Sequence, residues 1–248
     1  MRSLRWLTVL HMMANGLLLW LGYYWLGVGE SRASMLAWSA CVAVVIVVLG
    51  CAAYGAALVY FQEPGNRRAI TAWRIALRNL LPLAGAAMMV ALIYWLLNRW
   101  EDYSSQPAFQ IASYLTLRFR SPVRPASVAL VFNVALCVVR WVVLPVLLLP
   151  MMSAMAAGGW SGFRGIGAQV RRWIYWIEAP LLLLCTLWIP LKLLGWTPHV
   201  NSFGMEAVSF TLRAVVAYLL FAGSWLVLAF VTSVGKPRLT QSSTVVSP

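Results

Sequence analysis

Six long apolar stretches decide what this chain can become: 6–28, 34–61, 80–98, 126–150, 174–195 and 206–234. Each has close to the ~20 apolar residues that cross the hydrocarbon core of a bilayer, or more. No water is present there to satisfy backbone N–H and C=O groups, so a spanning segment is either a helix or a strand of a closed barrel. None of the six has the strict two-residue alternation of a barrel strand. The expected fold is therefore all-α: a polytopic six-helix transmembrane bundle forming a single domain over 1–234. The tail 235–248 is polar and reads as disordered and cytoplasmic.

Composition excludes the main rivals. The chain is 62% hydrophobic and 10% charged, whereas an ordinary soluble domain carries about 25% charged residues. Neither a lone soluble domain nor a disordered chain has this balance. The first apolar stretch follows Arg2 and Arg5 and runs to Gly29. It is longer than the ~7–15-residue core of a secretory signal and is read as a retained first span.

The charges that remain are lopsided, with 19 Lys+Arg against 6 Asp+Glu. They occur as small groups between the apolar runs, the pattern that sets membrane orientation, and not as a nucleic-acid-binding block. One side of the bundle receives Arg2, Arg5, Arg67, Arg68, Arg74, Arg78, Arg164, Arg171, Arg172, Lys236 and Arg238. The other receives Arg32, Arg99, Arg118, Arg120, Arg124 and Lys192. The bias expects both termini in the cytoplasm of a bacterial inner membrane, with the lipid bilayer and its anionic headgroups as partners. Trp20, Tyr23, Tyr24, Trp25, Tyr60, Phe61, Tyr94, Trp95, Trp100 and Trp196 fall at span ends, where amphipathic rings prefer the headgroup layer.

Two connecting segments carry helical periodicity. In 66–81, Ile70, Trp73, Leu77 and Leu80 alternate with a stripe of Arg67, Thr71, Arg74 and Arg78. In 163–177, Phe163, Ile166, Val170, Trp173 and Ile177 recur similarly, among Arg164, Arg171 and Arg172. Each predicts an amphipathic interfacial elbow helix whose arginines contact lipid headgroups; a cytoplasmic extension of the neighbouring span is the rival reading. At an offset of 98 residues, 34–98 lies over 132–196, matching Arg74 to Arg172 and Pro82 to Pro180. That order of span, basic elbow, proline and span makes a candidate parallel internal repeat. Segment 103–125 fits a strand, by its alternation, and a short surface helix equally well.

Chemistry-bearing groups are sparse. Cys41, Cys51, Cys137 and Cys185 lie singly inside apolar runs, and no Cys/His spacing suggests a metal or a cofactor. Gly159–Gly162 reads GWSG, and His11 and Asn15 form an HxxxN pair. These pieces resemble parts of the rhomboid intramembrane serine proteases, in which a base must lie within about 3 Å of its serine. The expected topology instead places Ser161 and His199 on opposite faces of a ~30 Å layer. A catalytic dyad is excluded and 158–167 is read as a glycine-rich connection.

Ionisable residues inside apolar runs are the leading candidates for a site, because charge in hydrocarbon is costly. Arg140 lies near the middle of the fourth stretch, Glu178 at the start of the fifth and Arg213 two turns into the sixth, with Glu206 one face along. Together with Asn133 they define a candidate intramembrane polar pocket, with Arg140 reaching toward Glu178. Paired or snorkelled arginines that fix helix register are the structural alternative. Pro145, Pro150, Pro180 and Pro190 mark kink sites.

The unit ITAWRIALRNLLPLAG, repeated in outline as QVRRWIYWIEAPLLLL, resembles a broad set of bacterial six-span proteins. These include the membrane domain that precedes some glycerophosphodiester phosphodiesterases. The resemblance is architectural, covers roughly 34–196, and implies a membrane bundle without the phosphodiesterase activity. The expectation is a non-enzymatic accessory subunit or lipid-associated scaffold. A small transporter with its pocket at Arg140 is the alternative, and an intramembrane enzyme a remote one.

Overall fold

The computed structural model describes residues 2–29, 32–62, 68–165, 171–198 and 202–233. Among these the chain is helical and carries no strand. The helices are α1 (Arg2–Leu26), α2 (Ala33–Gln62), α3 (Ala69–Arg78), α4 (Leu80–Tyr103), α5 (Ser105–Phe119) and α6 (Pro125–Val138). They continue with α7 (Leu144–Gly158), α8 (Tyr175–Leu183), α9 (Ile189–Gly195) and α10 (Phe203–Ser233). Six helical stretches are long and apolar enough to cross a membrane: Ser3–Leu26, Ala33–Gln62, Leu80–Tyr103, Pro125–Gly162, Tyr175–Gly195 and Phe203–Ser233. The protein is a polytopic all-α bundle.

Packing is concentrated at one end, called basal here, where α1 begins and α2 finishes. Leu7, Leu58, Ala72, Leu83, Ala156 and Leu226 belong to one buried cluster from six helices. Tyr175, Val146, Ala179 and Leu228 form a second. Polar contacts register the helix ends there. Ser3 Oγ lies 2.7 Å from Tyr60 Oη, and Gln62 donates to Ser153. Asn79 Nδ2 donates to the carbonyls of Ala156 (3.0 Å) and Ala157 (3.2 Å), satisfying the last turn of α7. The opposite, distal end is splayed: α4 buries only Pro82, Leu83 and Ala86, all near its basal start.

α3 forms within the first elbow segment, 66–81. Its buried face is Ala69, Ala72 and Ala76, not the stripe of larger apolar side chains. Ile70 and Leu77 are exposed, where lipid would meet them. At Gly55 of α2 an added Cβ would stand 3.4 Å from Ala76 Cβ and 2.5 Å from Leu83 Cδ2 of α4. Close approach of small residues suits a membrane bundle, in which van der Waals packing does most of the work.

The second elbow departs further from expectation. Gly159–Gly165 is a 3-10 helix, residues 171–174 form turns, and α-helix resumes only at Tyr175. The part at 166–170 lies outside the described residues. The two halves of the candidate repeat therefore differ locally, since 73–76, the counterpart of 171–174, is regular helix. Two glycines explain the tight turn after α7. Gly159 has φ +59, a region that L side chains avoid, and a Cβ on Gly162 would lie 2.3 Å from the carbonyl oxygen of Ala154.

Segment 103–125 resolves as helix. Pro107 lacks the N–H that would continue the α4 ladder, and a single tightened turn at Ser104 joins α4 to α5. There the Ser104 N–H donates to Glu101 O at 3.3 Å and its hydroxyl donates to the same oxygen at 2.8 Å. α5 then pairs antiparallel with α6 through a tip at 120–124. In this tip Arg120 takes φ 52 and the Val123 N–H donates to Thr116 Oγ1 at 3.0 Å. The fourth span is correspondingly longer than expected. Pro125–Gly162 is 38 residues, about 57 Å of helix at 1.5 Å per residue, against ~30 Å of hydrocarbon.

Candidate functional site

A ~30 Å slab corresponds to about 20 residues of helix. Laid from the registered basal ends, that length reaches Tyr23 and Tyr24 on α1, Asn98 to Glu101 on α4, and Trp196 after α9. It also reaches Arg140 on the fourth span and Arg213 on α10. Arg140 and Arg213 thus stand about one span length from the basal helix ends, as do the aromatic and charged residues Tyr23, Tyr24, Asn98 to Glu101 and Trp196.

Arg140 is held there by a specific set of contacts. Its Nη2 lies 2.8 Å from Glu101 Oε2 and 2.8 Å from Asn98 Oδ1. This corrects the expected pairing with Glu178, which instead lies 3.6 Å from Arg172 Nη2 at the basal end. The two halves of the supposed pocket sit at opposite ends of the bundle. Asn133 is exposed on α6, beyond Arg140.

The backbone at Arg140 shows why the helix is disturbed. Val139–Val143 is a π-helical turn, closed by the Leu144 N–H donating to Val139 O. The next donor in that register would be Pro145, which has none. The Arg140 carbonyl is thereby freed, and Tyr94 Oη on α4 donates to it at 2.9 Å. The same device recurs at Leu184–Trp188, where the Ile189 N–H donates to Leu184 O and Pro190 follows. In sequence both read as five residues, one aliphatic, then proline. If Pro145 is what frees the carbonyl, Tyr94→Phe should cost about 1 kcal/mol in the wild-type background. It should cost clearly less beside Pro145→Ala, where the substituted alanine supplies the missing N–H. A double-mutant cycle on reversible unfolding reads the difference.

Arg213 is the second boundary arginine. It is buried, its Nε donates to Ser209 O at 3.2 Å, and its guanidinium lies 6.0 Å from the Trp196 ring and 5.9 Å from Phe210. Cation–π contact with a desolvated guanidinium is worth up to about 2 kcal/mol. Arg213 is thus held by rings and a carbonyl; Glu206 is exposed farther along α10. Among the elbow arginines, Arg74, Arg78 and Arg171 are exposed and Arg172 is half-buried. Arg67 and the side chain of Arg164 lie outside the described residues, as does His199.

One polar cluster was not singled out as a site by sequence reasoning. His11 and Asn15 are 1% and 2% exposed. Tyr54 Oη donates to Asn15 Oδ1 at 2.6 Å, and Asn15 Nδ2 donates to His11 O at 2.8 Å. The Tyr54 ring meets His11 edge-on at 5.5 Å, Trp225 at 4.8 Å and Phe221 at 6.5 Å, and Tyr218 donates to Met12 O. This seam joins α1, α2 and α10 within the bundle. The HxxxN spacing in an apolar helix was the available signal. Its physical meaning is a helix-face pair serving an interhelical hydrogen bond.

Ser161, the other half of the protease-like pattern, is exposed at the basal end and donates to Gly158 O at 2.7 Å. It is a turn-forming hydroxyl beside Gly162. Among the described residues no group of three or more His, Cys, Asp or Glu is placed to hold a metal ion. The fold and these sites together define an integral membrane protein of multi-pass helical type. No family model, no curated protein and no solved structure matches the chain.

Proposed function

We propose that this chain is a non-enzymatic scaffold or accessory subunit of a membrane assembly. Its basal end, rich in Arg74, Arg78, Arg171 and Arg172, faces the cytoplasm of a bacterial inner membrane and contacts anionic headgroups. The observation that carries the reading is the distribution of packing and charge. The basal half is filled by large side chains such as Leu58, Leu83, Met155, Tyr175 and Leu228. The polar groups that a transporter would gather around a path are separated instead, with Arg140 tied to Glu101 at one end and Glu178 to Arg172 at the other. The distal grooves lie beside Trp20, Tyr24 and Trp38 and beside Trp188, Lys192 and Trp196; Arg140 lines neither.

Two measurements test this. The purified protein in liposomes should pass ions and protons no faster than empty liposomes; flux above that background, abolished by Arg140→Leu, would favour the transporter. In a cysteine-free background, Ser161→Cys and Ser121→Cys should be labelled from opposite sides of the membrane, Ser161→Cys from the cytoplasm. Labelling from one side would sink the topology.

A further inference from the structure

The fifth span, Tyr175–Gly195, has 21 residues, about 31 Å of helix against ~30 Å of hydrocarbon. A span of that length runs from one headgroup layer to the other, so Gly195 and Trp196 stand at the distal layer. The fourth span and α10, at 38 and 31 residues, are too long to fix a level by themselves. At the end of the fifth span lies an open groove of about 600 Å³, lined by Trp188, Leu191, Lys192, Gly195 and Trp196. All five are exposed.

The two rings of this groove each carry a cation. Lys192 Nζ lies 5.9 Å from the centre of the Trp188 ring, and Arg213 Cζ lies 6.0 Å from that of Trp196. Arg213 is 8% exposed, and its Nη1 is buried with no hydrogen-bond partner among the described residues. A buried cation without a counter-ion is costly. Among the described residues neither Lys192 nor Arg213 has a carboxylate at ion-pair distance; Glu101 and Glu178 pair with Arg140 and Arg172.

The sequence from 179 to 248 holds one acid, Glu206. It is exposed and stands about 10 Å along α10 from Arg213, a distance over which salt screens much of its charge. The open carbonyls at the end of α9 add about half a negative charge. Two cations against that half charge leave the groove positive, with apolar surface beside it at Leu191 and Trp188.

We propose that this groove binds an anionic phospholipid of the distal leaflet. Lys192 holds the headgroup phosphate, Arg213 adds its charge from one ring away, and an acyl chain lies along Trp188 and Leu191. A zwitterionic lipid brings an ammonium group to the same cations and is disfavoured. The site is separate from the basal arginines. It stands under the scaffold and the transporter readings alike, so its failure leaves the choice between them untouched.

The test places a fluorophore beside the groove, at Leu194→Cys in a cysteine-free background; Leu194 is exposed on α9. The full chain is held in phosphatidylcholine vesicles. Phosphatidylglycerol or phosphatidylcholine, each spin-labelled near the headgroup, is added in increasing share. Quenching curves then give the affinity of one lipid relative to the other. Phosphatidylglycerol should bind about fivefold more tightly, the attraction of one basic residue near a bilayer surface. Lys192→Gln, an exposed change that leaves the packing intact, should bring the ratio close to one. Arg213→Gln should lower it as well. Arg99→Gln removes an exposed cation that lies over Trp95 of α4, away from the groove, and should leave the ratio unchanged.

Equal quenching by the two lipids overturns the proposal, as does a preference that survives Lys192→Gln. An equal fall in Arg99→Gln would show diffuse surface charge in place of a site and overturns it too. Inorganic phosphate at fixed ionic strength is the last arm. Relief of the quenching by phosphate would show a site for a free anion and not for a lipid; quenching that persists supports the lipid.

Discussion

Gly162→Val should abolish the stable fold of the detergent-solubilised protein, with a loss of about 3 kcal/mol or more, the upper range for forced overpacking. The reason is that the contact is with backbone. A Cβ at this position would stand 2.3 Å from Ala154 O, 2.5 Å from Ala154 C and 2.8 Å from Met155 N. A flexible side chain could move aside, but a helical carbonyl two turns back cannot without breaking α7. Ala154, Met155 and Ala156 are themselves buried, and Ala156 belongs to the basal cluster that joins six helices. The lesion would therefore reach beyond its own turn. Even Gly162→Ala places an atom at that distance and should lower the melting temperature sharply. Ser161→Ala removes only an exposed hydroxyl bonded to Gly158 O and should shift it little. Circular dichroism melts of the three variants check the order. A fully stable Gly162→Val protein would mean that the turn after α7 is not packed as described.

The second large effect belongs to the seam inside the bundle. Tyr54→Ala should destabilise by about 3 kcal/mol, the low end for deleting a packed aromatic side chain. Three aromatic contacts disappear, with His11, Trp225 and Phe221. Asn15 Oδ1 also loses its donor at a site 2% exposed. Tyr54→Phe separates the terms: the rings stay and only the hydrogen bond goes, for which interhelical bonds in membranes average about 0.6 kcal/mol. Unfolding in mixed micelles should rank wild type, Tyr54→Phe and Tyr54→Ala in that order, with the larger gap between the last two. Equal losses for Phe and Ala would show that the hydrogen bond, and not ring packing, holds the seam.

The spans were legible because hydrocarbon sets their length. Ala33–Gln62 and Phe203–Ser233 differ from the expected 34–61 and 206–234 by a few terminal residues. α3 was legible as a helix, but its packing face was not. Hydropathy marks the stripe of Ile70 and Leu77, whereas the face on the bundle is set by the close approach that Ala76 allows at Gly55. Lipid takes the large side chains, so apolar character no longer says which face is inside.

The partner of Arg140 was missed for a related reason. Window reasoning sets an arginine at the centre of the apolar run it interrupts. This run, Pro125–Gly162, is longer than a bilayer is thick, so its centre does not fix the depth of the arginine. The partner, Glu101, lay in what looked like a loop, and only the continuation of α4 up to Tyr103 brings the two together. Pro145 and Pro190 were visible as kink sites. Their particular outcome, a freed carbonyl met by Tyr94 in the first case, depends on a neighbouring helix and leaves no mark in the local sequence.

The hairpin legs have a mechanical consequence. The fourth span runs without a loop from Pro125 to Gly162, so its outer part, α6, and its inner part, α7, are two ends of one lever. The fulcrum is the ring of contacts among Arg140, Asn98, Glu101 and Tyr94. With an outer arm of about 21 Å, a 10° change of tilt at that fulcrum carries the tip through about 4 Å. The inner arm, α7, which packs through Met151 and Met155 on Ala86 of α4, must swing the opposite way.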